Sequence, residues 1–147
     1  MWGYGVLGGA GFEVCTVAAN CQRGVQGTGD GQRQFPTDIS INAAGKVVVA
    51  DRGNGRVQAF EPAGAWIVKS ASFGFISGPT GITATGAGNL YVSDGSVDFR
   101  SSGDRVVVLN DTTLVQSAEI TPTAGGNGEF RKPIAIASDP AGNLFVL

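Results

Sequence analysis

Two pairs of oppositely charged residues are the first candidates for chemistry in this sequence. Asp51 is followed by Arg56, and Asp94 is followed by Arg105 after a longer separation. A carboxylate and a guanidinium at such spacing can bind a ligand or take part in catalysis, or they can form an ion pair that caps a turn. Because the pairing recurs in equivalent places, we interpret both pairs as structural.

The segment 96–104 is the best candidate for ligand recognition. It lengthens the turn between Asp94 and Arg105 relative to the equivalent turn between Asp51 and Arg56. Loops on a rigid scaffold often carry binding residues. Asp98, Phe99 and Arg100 place an acid, an aromatic ring and a planar cation side by side. The alternative is a surface insertion without a function. Two polar residues of the shorter turn, Arg52 and Asn54, are further binding candidates.

Several kinds of site are disfavoured by composition. The chain has no histidine, which removes the commonest general base and the commonest metal ligand. Residues 27–31 and 125–128 are glycine-rich like phosphate-binding loops, but they precede a strand and lack the P-loop lysine. We therefore predict no catalytic residue, no metal site and no cofactor in this segment.

Charge and hydropathy limit the partners. The net charge is −2 and the isoelectric point is about 4.9, which argues against a nucleic-acid-binding surface. No apolar segment is long enough to cross a bilayer, so we predict no membrane span.

The two cysteines, Cys15 and Cys21, are close enough in sequence for a short loop to bring their thiols together. We predict a disulfide, which would place the protein outside the cell or at its surface. The alternative is a pair of unpaired thiols in a cytoplasmic protein.

One sequence pattern occurs three times, in residues 31–51, 74–94 and 128–147. Each copy contains a glycine, a proline, a second glycine and then an apolar run. The prolines Pro36, Pro79 and Pro133 set separations of 43 and 54 residues, which suit a four-stranded propeller blade and a second blade with a loop insertion. The repeat therefore predicts an all-β fold.

Each copy predicts two strands, and the residues after it predict two more. Ile39 and Ile41 alternate with polar residues and predict strand a, nearest the propeller axis. A glycine-containing turn follows, and then an apolar run typical of a strand buried between blades, strand b. The predicted strands c are 56–60 and 105–109, and the predicted outer strands d are 66–68 and 114–116.

This pattern resembles the NHL repeat of six-bladed propellers: Pro-x-x-Ile, then Gly-Asn-Leu-Tyr-Val-Ser-Asp, then Arg-Val-x-x-Phe/Leu. The resemblance extends from Gly24 to Leu147. The initial WGYGV is similar to the outermost strand of a preceding blade, as in exported bacterial NHL-repeat proteins. The resemblance implies β-propeller blades of four antiparallel strands in an incomplete ring, with two full blades, an orphan outer strand and a half-blade.

The expected organisation is an outer strand with a cysteine-containing loop (1–30), a first blade (31–73), a second blade (74–127) and half of a third (128–147). Open blade faces expose apolar surface and unpaired strand edges. The chain is therefore expected either to be a fragment of a longer one or to assemble with copies of itself.

Three functions follow from these expectations. The first is a non-catalytic scaffold at the cell surface that binds another protein, a glycan, the rest of a longer chain or further copies of itself. The second is a fragment of a metal-dependent lyase or lactonase whose catalytic residues lie elsewhere, since such enzymes share this architecture. The third is RNA binding, as in some relatives, which the acidic composition disfavours.

Overall fold

The computed structural model of this chain describes residues 2–70, 78–95, 103–122 and 129–147. The described part begins with an N-terminal hairpin, β1 (Trp2–Tyr4) and β2 (Phe12–Val14). Blade one consists of β3 (Pro36–Ile41), β4 (Val47–Asp51), β5 (Arg56–Phe60) and β6 (Trp66–Lys69). Blade two consists of β7 (Gly81–Ala84), β8 (Asn89–Asp94), β9 (Arg105–Asn110) and β10 (Gln116–Ile120). An inner half-blade follows, formed by β11 (Ile136–Ser138) and β12 (Leu144–Val146).

The strands of each blade pair in chain order and antiparallel, so both complete blades are simple four-stranded meanders. This confirms the predicted all-β fold of propeller blades. No helix long and apolar enough to span a bilayer occurs among the described residues.

The turn between the first two strands of each blade depends on a glycine. Gly45, Gly88 and Gly142 have φ angles of 74°, 78° and 87°, a region that side chains with a Cβ rarely adopt. Each glycine N–H donates to a carbonyl three residues earlier, that of Asn42, Thr85 or Asp139. The glycine-containing turns predicted from the repeat therefore adopt one conformation three times.

The apolar core lies between the sheets, and β4 is buried on both of its faces. Val48 and Ala50 belong to a cluster with blade two, whereas Val47 and Val49 pack with Phe60 on the opposite face. Successive side chains of a strand point to opposite faces, which explains why an uninterrupted apolar run was needed here.

Neighbouring blades are also joined by hydrogen bonds near their inner strands. The Thr37 hydroxyl donates to the carbonyl oxygen of Pro79 at 2.8 Å. One blade further along the chain, the Thr80 hydroxyl donates to the carbonyl oxygen of Pro133 at the same distance. The repeated Pro-Thr pair therefore fixes each blade to the next.

Two strand predictions require correction. The N-terminus forms a two-stranded hairpin rather than a single outer strand, because the glycine-rich residues 5–11 turn the chain back. The last strand of blade two begins at Gln116 rather than at Leu114. Leu114 has a φ of 56° and its side chain is fully buried, so it belongs to the turn and anchors it in the core.

Candidate functional site

The carboxylate of Asp51 is the centre of a buried polar cluster at the end of β4. Its Oδ2 accepts hydrogen bonds from Arg56 Nε at 2.9 Å, Asn54 Nδ2 at 2.9 Å and Gln58 Nε2 at 3.0 Å. Its Oδ1 accepts the backbone N–H of Gln34 at 2.7 Å. The carboxylate has no solvent exposure, so these four donors replace its hydration.

Arg56 extends the Asp51 cluster to the segment that leads into blade one. Its terminal nitrogens donate to the carbonyl oxygens of Thr28, Gly29 and Gln32 at 2.8–2.9 Å. A phosphate-binding loop would instead direct backbone N–H groups at its ligand. The backbone carbonyls of the glycine-rich segment around residues 27–31 therefore bind a cation, and that cation is the Arg56 guanidinium.

The second predicted pair is also joined by an ion pair. Arg105 Nε donates to Asp94 Oδ2 at 3.1 Å, and Arg105 Nη1 donates to Glu119 Oε1 at 2.9 Å. A hydrogen bond from Gln116, with the nearby Arg105 charge, holds the pKa of Glu119 below its ordinary value. Asp94 is fully buried like Asp51, while this guanidinium is more exposed than that of Arg56.

The remaining predicted binding residues have different positions. Asn54 donates to the Gly27 carbonyl at 2.9 Å as well as to Asp51, so its amide is used within the protein. Arg52 is half-buried in the 3₁₀ turn after β4 and makes contacts of its own. Asp98, Phe99 and Arg100 lie outside the described residues.

The two cysteines form a disulfide. The Cys15 and Cys21 sulfurs are bonded, with their Cα atoms 5.5 Å apart. The bridge closes a loop that contains the short 3₁₀ turn Ala18–Asn20. It fixes the start of the connection between the N-terminal hairpin and blade one.

An open cleft of about 680 Å³ lies in front of the inner strands of blade one. Its lining combines residues of the hairpin, the connecting segment and β3–β4: Trp2, Arg33, Pro36, Thr37, Asp38, Ile39, Val47 and Val49. We call this the inner cleft. The lining is mostly apolar and includes the Arg33 cation. The Asp38 carboxylate accepts the backbone N–H groups of Ile39 and Ile82, each at 2.8 Å.

The cation of the inner cleft is held by aromatic rings. The Arg33 guanidinium carbon lies 5.1 Å from the Trp2 ring centroid and 5.2 Å from that of Phe60, within cation–π range. Burial lowers the pKa of Arg33, and the Asp51 charge opposes that effect. The hairpin rings thus cover β4 and β5 of blade one and leave Ile39 and Ile41 of the innermost strand β3 exposed.

Sequence reasoning missed the inner cleft, although the repeat contained a signal for it. Ile39 occupies the same position in the repeat as Ile82 and Ile136. Ile82 is 3% exposed and Ile136 is 7% exposed, and each lies on a strand that contacts the blade before it. Ile39 is 59% exposed, so the same apolar position lacks that cover in blade one.

In the part of the chain that the structure describes, no group of three or more Cys, Asp or Glu side chains is arranged to hold a metal ion. Asp30, the acid in the glycine-rich segment, pairs with Lys69.

A family model described as the NHL repeat matches residues 34–60, which span β3, β4 and β5 together with Asp51 and Arg56. This chain carries an NHL repeat. The buried Asp–Arg cluster therefore lies within the matched repeat, and the Asp94–Arg105 pair occupies the equivalent place in blade two.

Two known proteins align with larger parts of the chain than the family model does. The human NHL repeat-containing protein 3 is 33% identical over 110 residues, which cover 72% of this chain and 26% of that protein. Protein lin-41 of Caenorhabditis elegans is 46% identical over 46 residues, 31% of this chain and 4% of that protein. This NHL-repeat chain thus spans about a quarter of the first relative's length and a small part of the second's.

A solved structure shows the same fold. The hydrazine synthase of Kuenenia stuttgartiensis superimposes with a TM-score of 0.58 at 16% identity, over 78% of this chain and 30% of that one. At this identity the likeness extends to the fold alone.

Proposed function

We propose that this chain is a non-catalytic NHL-type propeller segment that acts as a scaffold, binding another protein or further copies of itself at the cell surface. Ile39 and Ile41, which lie on the same face of β3, are 59% and 58% exposed. This exposure is the observation that carries the proposal. A contiguous apolar surface on a folded sheet is typical of a protein-binding site.

The hydrogen bonds made by the polar side chains around Asp51 support the non-catalytic part of the proposal. The guanidinium of Arg56 and the amide of Asn54 bond to Asp51 and to backbone carbonyls. Catalytic groups must instead present a donor, acceptor or base to a substrate. Propeller enzymes share the fold, but fold does not imply function.

The location rests on the Cys15–Cys21 disulfide, since such bonds persist in oxidising compartments. Thiol labelling of intact cells, with acid quenching before lysis, tests it. We expect Cys15 and Cys21 to be protected from the alkylating reagent until a reductant is added. Complete labelling without a reductant would contradict an extracellular location.

The scaffold role is tested by sedimentation velocity of the whole chain from low to high micromolar concentration. We expect the average mass to rise with concentration, because the exposed apolar strand is covered on association. A single monomeric species over the whole range would remove self-assembly from the proposed function.

A further inference from the structure

We propose that Asn110, the last residue of β9, carries an N-linked glycan. Asn110, Asp111 and Thr112 form the acceptor sequence Asn-x-Thr, in which the middle residue is not proline. No other asparagine in the sequence is followed two residues later by serine or threonine. The inference rests on the extracellular location in the proposed function, because sugars are attached at this sequence in secreted proteins.

The turn that follows β9 presents the acceptor residues to solvent. Asn110 and Thr112 are exposed, whereas Asp111 between them is only 6% exposed. Leu114 is fully buried, and Asn42 of blade one donates to the carbonyl oxygen of Asp111 at 2.9 Å. The turn is therefore anchored through its buried residues, and both residues that the acceptor sequence requires lie on its exposed side.

The hydrogen bonds of the Asn110 amide are made by its oxygen. Oδ1 accepts the backbone N–H groups of Thr112 at 3.1 Å and Thr113 at 2.9 Å, together with the Thr113 hydroxyl at 3.1 Å. Among the residues that the structure describes, Nδ2 of Asn110 donates to no protein atom. The nitrogen that forms the sugar linkage is therefore available, and Thr112 is held beside the amide.

The equivalent turn of blade one differs in both sequence and cover. Residues 61–64 contain no asparagine, serine or threonine. A Cβ at Gly64 would lie 2.5 Å from Phe12 Cε1 and 2.9 Å from Trp2 Cγ, so the N-terminal hairpin packs directly against this turn. The acceptor sequence therefore occurs in the turn that is open to solvent and not in the turn that is covered.

The modification is a transfer from a lipid-linked oligosaccharide. Asn110 Nδ2 forms a bond to C1 of the first sugar, and the bond between that carbon and the pyrophosphate oxygen breaks. The lipid pyrophosphate leaves and the amide nitrogen loses one proton, so the step requires neither an oxidant nor a reductant. The oligosaccharide and its transferase belong to the secretory route, which also permits the Cys15–Cys21 disulfide.

Mass spectrometry of the protein from the cells that make it tests the site. We expect the tryptic peptide 106–131 to carry the mass of a glycan, and peptide-N-glycosidase in heavy-oxygen water to leave a labelled aspartate at position 110. An unmodified Asn110 in protein whose cysteines are bridged would overturn this inference and leave the extracellular location standing. An unmodified Asn110 in protein whose cysteines are free would overturn both.

Three variants separate the acceptor sequence from the stability of the turn, and circular dichroism checks their folding. Thr112→Val removes the required hydroxyl and should lower the glycosylated fraction about tenfold or more, whereas Thr112→Ser should retain the glycan. Thr113→Val is the matched control, because it removes a neighbouring hydroxyl that bonds to Asn110 outside the acceptor sequence, and it should leave the glycosylated fraction unchanged. A glycan that persists in Thr112→Val would overturn the assignment to this acceptor sequence.

Discussion

At the scale of single residues, the Asp51 carboxylate determines how the entry to blade one is held. It has no solvent exposure and pairs with Arg56, whose side chain is 8% exposed. We expect Asp51→Asn to lower the free energy of unfolding by about 3–5 kcal/mol, because it leaves a buried guanidinium without its counter-charge. Urea denaturation followed by circular dichroism measures the change.

The matched control is the ion pair between Lys46 and Glu61, whose side chains are 34% and 42% exposed. Exposed pairs contribute roughly 0–1 kcal/mol, so Glu61→Gln should change the free energy of unfolding by less than about 1 kcal/mol. Equal losses from Asp51→Asn and Glu61→Gln would show that burial does not determine the contribution of Asp51.

At the scale of elements, the close approach of blade two to the half-blade requires Gly81. A Cβ at this position would lie 3.0 Å from Ala135 Cα and 2.9 Å from Ser93 Oγ. We expect Gly81→Ala to lower the free energy of unfolding by about 1–3 kcal/mol, because backbone must move to accept the added carbon. Thermal and urea unfolding measure this loss.

Gly86 provides the control for that substitution within the same blade. A Cβ there would meet no atom within 4 Å, and the residue does not occupy the left-handed region. Gly86→Ala should therefore leave the free energy of unfolding unchanged or raise it by about 0.4–1 kcal/mol. If Gly81→Ala behaves in the same way, the inner strands are not packed as closely as the structure indicates.

Most strands could be predicted from the sequence because two signals coincide in them. The period-two pattern of β3 and the apolar run of β4 are local, and the repeat places the same signals in blade two. The N-terminal hairpin was missed because its packing on Phe60 is a tertiary contact. Leu114 was assigned to a strand for a similar reason, since an apolar turn residue buried in the core looks like a strand residue in sequence.

The Asp–Arg pairs of the candidate site could be predicted, but most of their partners could not. Recurrence alone indicated that Asp51 and Arg56 form a pair. Arg56 donates to the backbone carbonyls of Thr28 and Gly29, and the side chains in the sequence do not reveal a backbone acceptor. The inner cleft escaped prediction because Ile39 looks like any core residue until its exposure is compared with that of Ile82.

At the scale of the whole molecule, the depth of each sheet within the stack should set its resistance to opening. β4 is buried on both faces, whereas the half-blade has one open face that carries Phe145. Local opening requires less free energy where fewer apolar contacts break. In hydrogen exchange of dilute protein we expect the slowest amides in β4, β8 and β9, and the fastest strand amides in β11 and β12.

Concentration makes the same exchange experiment sensitive to assembly. If copies of the chain associate through the exposed apolar face of β3, the amides of β3 should exchange more slowly as association proceeds, because a strand covered on both faces opens less often. The amides of β10, the outer strand of the other four-stranded sheet, serve as the internal reference and should not change. Slowing confined to β10, or spread evenly over all strands, would place the contact between copies elsewhere on the molecule.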